Sequence, residues 1–302
     1  MHPFKIVLIA GMPAQPLAKG LVHDLYYGFV PALYRTGVTW LADGEAVELS
    51  IAVSEVLEAE TIAEVIADQI PELPVDVALV ADGHRRKKLL VADMDATIIA
   101  QECIDELADF AGLGEPIAGI TERAMRGEID FAAALTERVG LLAGLAESAI
   151  DAVLRERITL TPGARTLTAT MRAFGARTLL VSGGFTCFAG EIAQRAGFDE
   201  HHANTLGIAD GTLTGRVVPP ILGEEAKLET LRAATRRLKI ATAETLAVGD
   251  GANDLAMIRA AGLGVGFHAK PLVAARAPVT IRHGDLTALL YLQGYARTEF
   301  AE

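Results

Sequence analysis

The sequence predicts an α/β fold in two parts: a Rossmann-like parallel sheet carrying an inserted helical cap, preceded by a ferredoxin-like βαββαβ module. Three observations predict it. Apolar runs of strand length alternate with helical stretches from Lys88 onward, the first 84 residues follow a different order of elements, and the apolar run in LLVADMDATIIA delivers two aspartates, Asp93 and Asp95, one residue apart. Alternating strands and helices imply a parallel sheet covered on both faces. Ligands of such sheets gather beyond the carboxyl ends of the strands.

In the first part, residues 5–12 read as a strand and 17–30 as a helix. Residues 38–42 and 46–53 form strands about Asp43-Gly44, 61–70 a helix and 75–81 a strand. This order packs two helices on one face of an antiparallel sheet. A boundary is expected at Asp82-Gly83-His84, which gives residues 1–84 and 85–302 as two domains. In the second, strands are expected at 89–93, 177–182, 245–250, 262–267 and 279–282. An all-helical insertion, about 103–160, separates the first two, with helical segments at 104–110, 117–126 and 131–142 and a break at Gly127. Its place directly after the aspartates suits a lid that excludes water. Residues 204–218, with Asp210-Gly211 at the middle, read as a hairpin.

Composition narrows the function. A net charge of -12 argues against a sequence-independent grip on nucleic acid, which needs clustered Lys and Arg. The basic run Arg85-Arg86-Lys87-Lys88 reads as a solvated linker end. No stretch has the length of an apolar membrane span and no secretion signal is evident, so no membrane partner and a cytoplasmic location are expected. The two cysteines, Cys103 and Cys187, lack metal-ligand spacing and a paired histidine, and read as buried or lid-packing thiols. His201-His202 read as surface residues, because neighbours on an extended segment point opposite ways.

The chemistry concentrates at strand ends. Asp93 and Asp95 project to the same side of an extended segment, which crowds two carboxylates into one space. Ser182-Gly183-Gly184 offers a hydroxyl and approachable backbone N–H groups, a cradle for phosphate oxygens. Asp250, Asn253 and Asp254 lie in VGDGANDL, and Lys227 in EEAKLETL. Aspartates such as Asp93 and Asp250 are hard oxygen ligands suited to Mg²⁺. Several aspartates and a phosphate would repel one another by about 4 kcal/mol per pair at 4 Å and an effective dielectric of 20. Mg²⁺ and Lys227 would offset that repulsion.

DMDATI, SGG, the lone lysine and GDGANDL together resemble the four motifs of the haloacid dehalogenase superfamily, in which an aspartate attacks phosphorus. Within it, the chain from about residue 87 to 293 resembles the phosphoserine phosphatase family, with Met94 and Ala96 where that family more often has phenylalanine and serine or glycine. The resemblance implies Mg²⁺-dependent hydrolysis of O-phosphoserine, the last step of serine biosynthesis, through an aspartyl phosphate. It implies Asp93 as nucleophile and Asp95 as general acid and base. Mg²⁺ would be held by the Asp93 carboxylate, the Asp95 carbonyl and Asp250, while Ser182, Gly183, Lys227 and Asn253 hold the phosphoryl group. Asp254 would support the metal shell and Lys227. Glu102 and Arg138 match the residues that bind the substrate's amino and carboxylate groups, and Met125 and Phe131 match apolar lid positions. The N-terminal module resembles amino-acid-sensing domains (ACT-like); Gly11 is its single ligand-site feature, and a structural or homodimer-forming role is expected, with regulation by serine the alternative. A phosphatase or phosphotransferase for another small phosphomonoester, and a non-catalytic sensor, are the competing readings.

Overall fold

The computed structural model describes residues 1–11 and 16–302, except the side chains of Met125 and Glu224. Its first part runs β1 (His2–Ala10), α1 (Lys19–Phe29), β2 (Arg35–Ala42), β3 (Ala46–Val53), α2 (Val56–Asp68) and β4 (Val75–Ala81). The strands form an antiparallel sheet of order β2-β3-β1-β4, the ferredoxin-like arrangement expected. Helix α2 begins five residues earlier than its apolar periodicity suggested. The Glu58 carboxylate accepts the Ser54 and Glu55 amides and so satisfies donors a helix start leaves open. The expected end of the first strand at Met12 lies outside the described residues.

The second part runs β5 (Leu89–Ala92), then α3 (Cys103–Phe110), α4 (Gly114–Met125), α5 (Phe131–Leu141) and α6 (Ser148–Glu156) as the insertion. Next come α7 (Ala164–Ala173), β6 (Arg177–Phe185), α8 (Thr186–Ala196) and the hairpin β7 (Glu200–Ala209) and β8 (Thr212–Val218). The chain closes with α9 (Glu224–Leu238), β9 (Thr245–Gly249), α10 (Leu255–Ala260), β10 (Leu263–Phe267), α11 (Pro271–Ala274), β11 (Val279–Ile281) and α12 (Ala288–Leu292). The strand order is β11-β10-β9-β5-β6-β7-β8, parallel apart from the last pair. All four residues of β5 are buried, as a central parallel strand requires. Asp210 and Gly211 both take positive φ, 50° and 72°, the backbone that a two-residue hairpin turn needs.

Strand β1 is apolar without alternation because both faces of its sheet are covered. Ile6 and Leu8 pack with α1 and α2, while Val7 and Ile9 join the cluster that holds Leu289 and Tyr291 of α12. Asp76 of β4 is buried and accepts the Arg282, Gly284 and His283 amides at 2.7, 2.8 and 3.1 Å. Gly11 is explained by this junction: a Cβ there would stand 2.3 Å from the His283 Cβ.

The basic run is a correction to the solvated reading. Arg85 lies 2.5 Å from Glu48 and donates to the Leu292 carbonyl. Lys87 is buried with its ammonium on the His84 and Ala243 carbonyls. Only Arg86 and Lys88 reach solvent. The run crosses between the two sheets, so alternate side chains of an extended segment meet protein on one side. No helix among the described residues is long and apolar enough to cross a membrane.

Candidate active site

The site stands at the carboxyl ends of β5, β6 and β9, the three central strands. After β5 the chain turns sharply through Met94–Ile98 and is closed by the Ile99 amide on the Met94 carbonyl at 3.0 Å. Ala96 takes φ 51° there, the left-handed region that glycine occupies most readily and that a residue with a Cβ adopts at a cost. This turn presents Asp93 and Asp95 to one cavity of about 340 Å³, which Glu102, Arg138, Gly183, Asp250 and Asn253 also line. Another cavity, of about 380 Å³, lies between the first sheet and α12 and holds none of these residues.

Lys227 is buried beneath the cavity, 2.6 Å from both Asp93 Oδ1 and Asp254 Oδ1. Burial works against its charge, and the two carboxylates overcome that and raise its pKa. One ammonium cannot neutralise both acids. Burial, and next the Asp254 charge, push the Asp93 carboxyl well above its usual range, with Lys227 opposing. Asp254 is further fixed by the Gly251 amide on its second oxygen. Gly249 has no Cβ for a related reason: one would lie 2.4 Å from the Asp254 Cγ.

Asp95 is held from two sides. Its Oδ1 accepts the Cys103 amide at 2.8 Å and its Oδ2 the Ser182 hydroxyl at 3.0 Å, while Ser182 Oγ itself accepts the Gly184 amide. A Cβ at Gly184 would come within 3.1 Å of Asp95 Oδ2, so the glycine keeps open the space beside that carboxylate. The cap reaches over the same turn: Phe131 Cζ stands 3.0 Å from where a Gly183 Cβ would be. The side chain of Met125, the other lid position, lies outside the described residues.

Glu102 and Arg138 reach the cavity from the insertion. The Glu102 side chain is 45% exposed at the cavity mouth, and the protein packed around its remaining surface, followed by the Asp95 charge, pushes its carboxyl up to about 7, opposed by Lys270. Burial lowers the Arg138 pKa, with Asp105 and Glu102 opposing. Arg138 makes no ion pair with the adjacent Glu137, whose carboxylate is 2.7 Å from Arg123. A guanidinium and a carboxylate thus face one space without being spent on each other.

The residues fit a divalent cation. Carboxylate oxygens of Asp93, Asp250 and Asp254 all lie within 4.8 Å of one another, an all-oxygen set of the kind that hard cations take. Both Asp254 oxygens are engaged, by Lys227 and the Gly251 amide, whereas Asp93 meets Lys227 through Oδ1 alone and Asp250 meets Lys270 through Oδ2 alone, which leaves each of these two a second oxygen for a cation. Sequence reasoning missed Lys270, whose ammonium is 3.2 Å from Asp250 Oδ2. A lone lysine outside the motifs carries no signal until the fold brings it in. His201 and His202 are exposed. Burial pushes the Cys103 thiol up and Cys187 up to about 11, so neither supplies a thiolate nucleophile near neutrality.

Fold and site together define an α/β protein with a cluster of carboxylates at the ends of its central parallel strands, and the family model for haloacid dehalogenase-like hydrolases matches residues 90–259. The chain belongs to that family. Among its relatives, a phosphoserine phosphatase of Albidiferax ferrireducens is 47% identical over 210 residues, covering 68% of this chain and 89% of the relative. One of Streptomyces coelicolor is 44% identical over 261 residues, 86% of this chain and 63% of the relative, so the chain spans under two thirds of that protein's length. The crystal structure of a probable phosphoserine phosphatase from Vibrio cholerae superposes with a TM-score of 0.77 at 33% identity, covering 98% of this chain and 88% of that one.

Proposed function

We propose that this chain hydrolyses O-phosphoserine to serine and phosphate through an aspartyl phosphate. The observation that carries the reading is the joint placement of Glu102 and Arg138 in the cavity that holds Asp93 and Asp95. A planar guanidinium suits a carboxylate, and a carboxylate suits an ammonium group, so the pair selects an amino acid. A relative that is 47% identical over 210 residues, and of which this chain covers 89%, bears the name phosphoserine phosphatase.

Asp93 attacks phosphorus. Its new P–O bond forms as the bond to the serine oxygen breaks, and Asp95 gives that oxygen a proton. Asp95 then removes a proton from water, whose oxygen displaces Asp93 from phosphorus and releases phosphate. The hydrogen bonds from Cys103 and Ser182 keep Asp95 aimed for both transfers. Gly183 and Asn253 line the space for the phosphoryl oxygens, with Ser182 and Lys227 behind them setting the charge and position of Asp95 and Asp93. Asp93, Asp250 and the Asp95 carbonyl would hold Mg²⁺, which would screen the attack of one anion on another.

Phosphate release from O-phosphoserine, phosphothreonine, phosphoethanolamine and a sugar phosphate, each with Mg²⁺ and with EDTA, tests the reading. A Mg²⁺-dependent preference for phosphoserine is expected. Equal rates across the panel overturn the substrate assignment, and product transfer to an added alcohol in place of water marks a phosphotransferase.

A further inference from the structure

Lys270 follows β10 on the turn into α11 and belongs to none of the motifs. Its backbone amide donates to the Asp250 carbonyl at 3.0 Å, so the residue is anchored to the metal-binding loop before its side chain acts. From there the ammonium reaches Asp250 Oδ2 at 3.2 Å and Glu102 Oε1 at 3.8 Å. Among the described residues this is the one ion pair that Glu102 makes. The carboxylate needs it. Glu102 precedes α3 without capping it, the Cys103 amide beside it is given to Asp95, and the nearby charges of Asp95 and Asp250 repel it. With its side chain 45% exposed, Glu102 has an open route toward solvent.

We propose that Lys270 is a specificity-determining positioning residue: by bridging Asp250 and Glu102 it holds the Glu102 carboxylate where a substrate's ammonium group meets it. The contact to Glu102 is Coulombic and longer than a hydrogen bond, and it engages one oxygen, so the carboxylate keeps its capacity to accept an N–H from substrate. Lys270 therefore sets the preference for amine-bearing phosphomonoesters over amine-free ones of the same shape. The inference rests on the reading of Glu102 given above.

The test compares Lys270→Met and Lys270→Arg with the unaltered chain on O-phosphoserine and on its desamino analogue, 3-phosphooxypropanoate. Mn²⁺ affinity without substrate is measured in parallel by electron paramagnetic resonance. Lys270→Met is expected to raise KM for phosphoserine about three- to tenfold with little change in kcat, and to leave KM for the desamino analogue in place, as loss of one modest charge interaction predicts. Lys270→Arg returns the ratio toward the original. Equal losses on both substrates, an unchanged ratio, or a fall in Mn²⁺ affinity large enough to account for the loss each overturn the proposal. An unaltered chain that does not distinguish the two substrates overturns the reading of Glu102 itself, a separate failure. Lys270 is more than half exposed, so the variants are expected to fold, which circular dichroism verifies.

Discussion

The Lys227 ammonium lies 2.6 Å from Asp93 Oδ1, buried beneath the carboxylate assigned the attack on phosphorus. Removing it leaves Asp93 and Asp254 facing each other without a counter-charge. Lys227→Met is expected to abolish phosphate release and to cost about 3–5 kcal/mol of stability, the range for breaking a buried ion pair from one side. Urea unfolding measures the second effect; a loss under 1 kcal/mol would show that the carboxylates are neutralised some other way.

Asp93→Asn should lower turnover by at least ~10⁴-fold, the scale on which a lost nucleophile registers. Acid-quenched labelling with radioactive phosphoserine should find no phosphoprotein. A labelled variant would move the nucleophile elsewhere.

The Glu102 carboxyl, pushed up to about 7 by partial desolvation at the cavity mouth and by the Asp95 charge, becomes neutral as pH falls through that value. A neutral acid gives up its ionic pairing with an ammonium group. KM for phosphoserine is therefore expected to rise below pH 7, whereas a desamino substrate should show no such rise beyond its own phosphate titration. Parallel pH profiles of the two substrates decide the point.

Arg138 is aimed into the cavity with no carboxylate partner within ion-pair distance among the described residues. Arg138→Met is expected to raise KM about 10- to 100-fold, from the loss of roughly 1.5–3 kcal/mol in a charge-assisted hydrogen bond. A fall in kcat with KM unchanged would instead place this residue in the chemical step.

Asp76 joins the two sheets through three backbone amides. Asp76→Ala leaves those donors in a buried place and should destabilise the chain by about 3 kcal/mol. Chelation should act oppositely: EDTA removes turnover but leaves the far-ultraviolet dichroism intact, since Lys227 and Lys270 stand beside the acids a cation would neutralise.

The sequence was legible wherever the signal is local. The bounds of β3 and β4 were readable because apolar runs there meet turn residues, and the motifs at 93–97, 182–184 and 250–254 announce themselves by composition. The continuous apolar stretch of β1 also carried notice that both faces are covered, a sign easily passed over when the module is read as a two-layer unit. The early start of α2 was hidden because its cap uses glutamates, which look like any solvated helix residue.

What the sequence by itself determined, then, is the order of strands and helices and the set of carboxylates, since periodicity and turn chemistry act over a few residues. Tertiary structure alone decided the partnerships. Lys227 meets Asp93 across 134 positions, Arg85 turns inward to Glu48, and Lys270 closes on Asp250 and Glu102. Each of these is a charge whose fate depends on the dielectric and neighbours it meets after packing, and no local pattern records them.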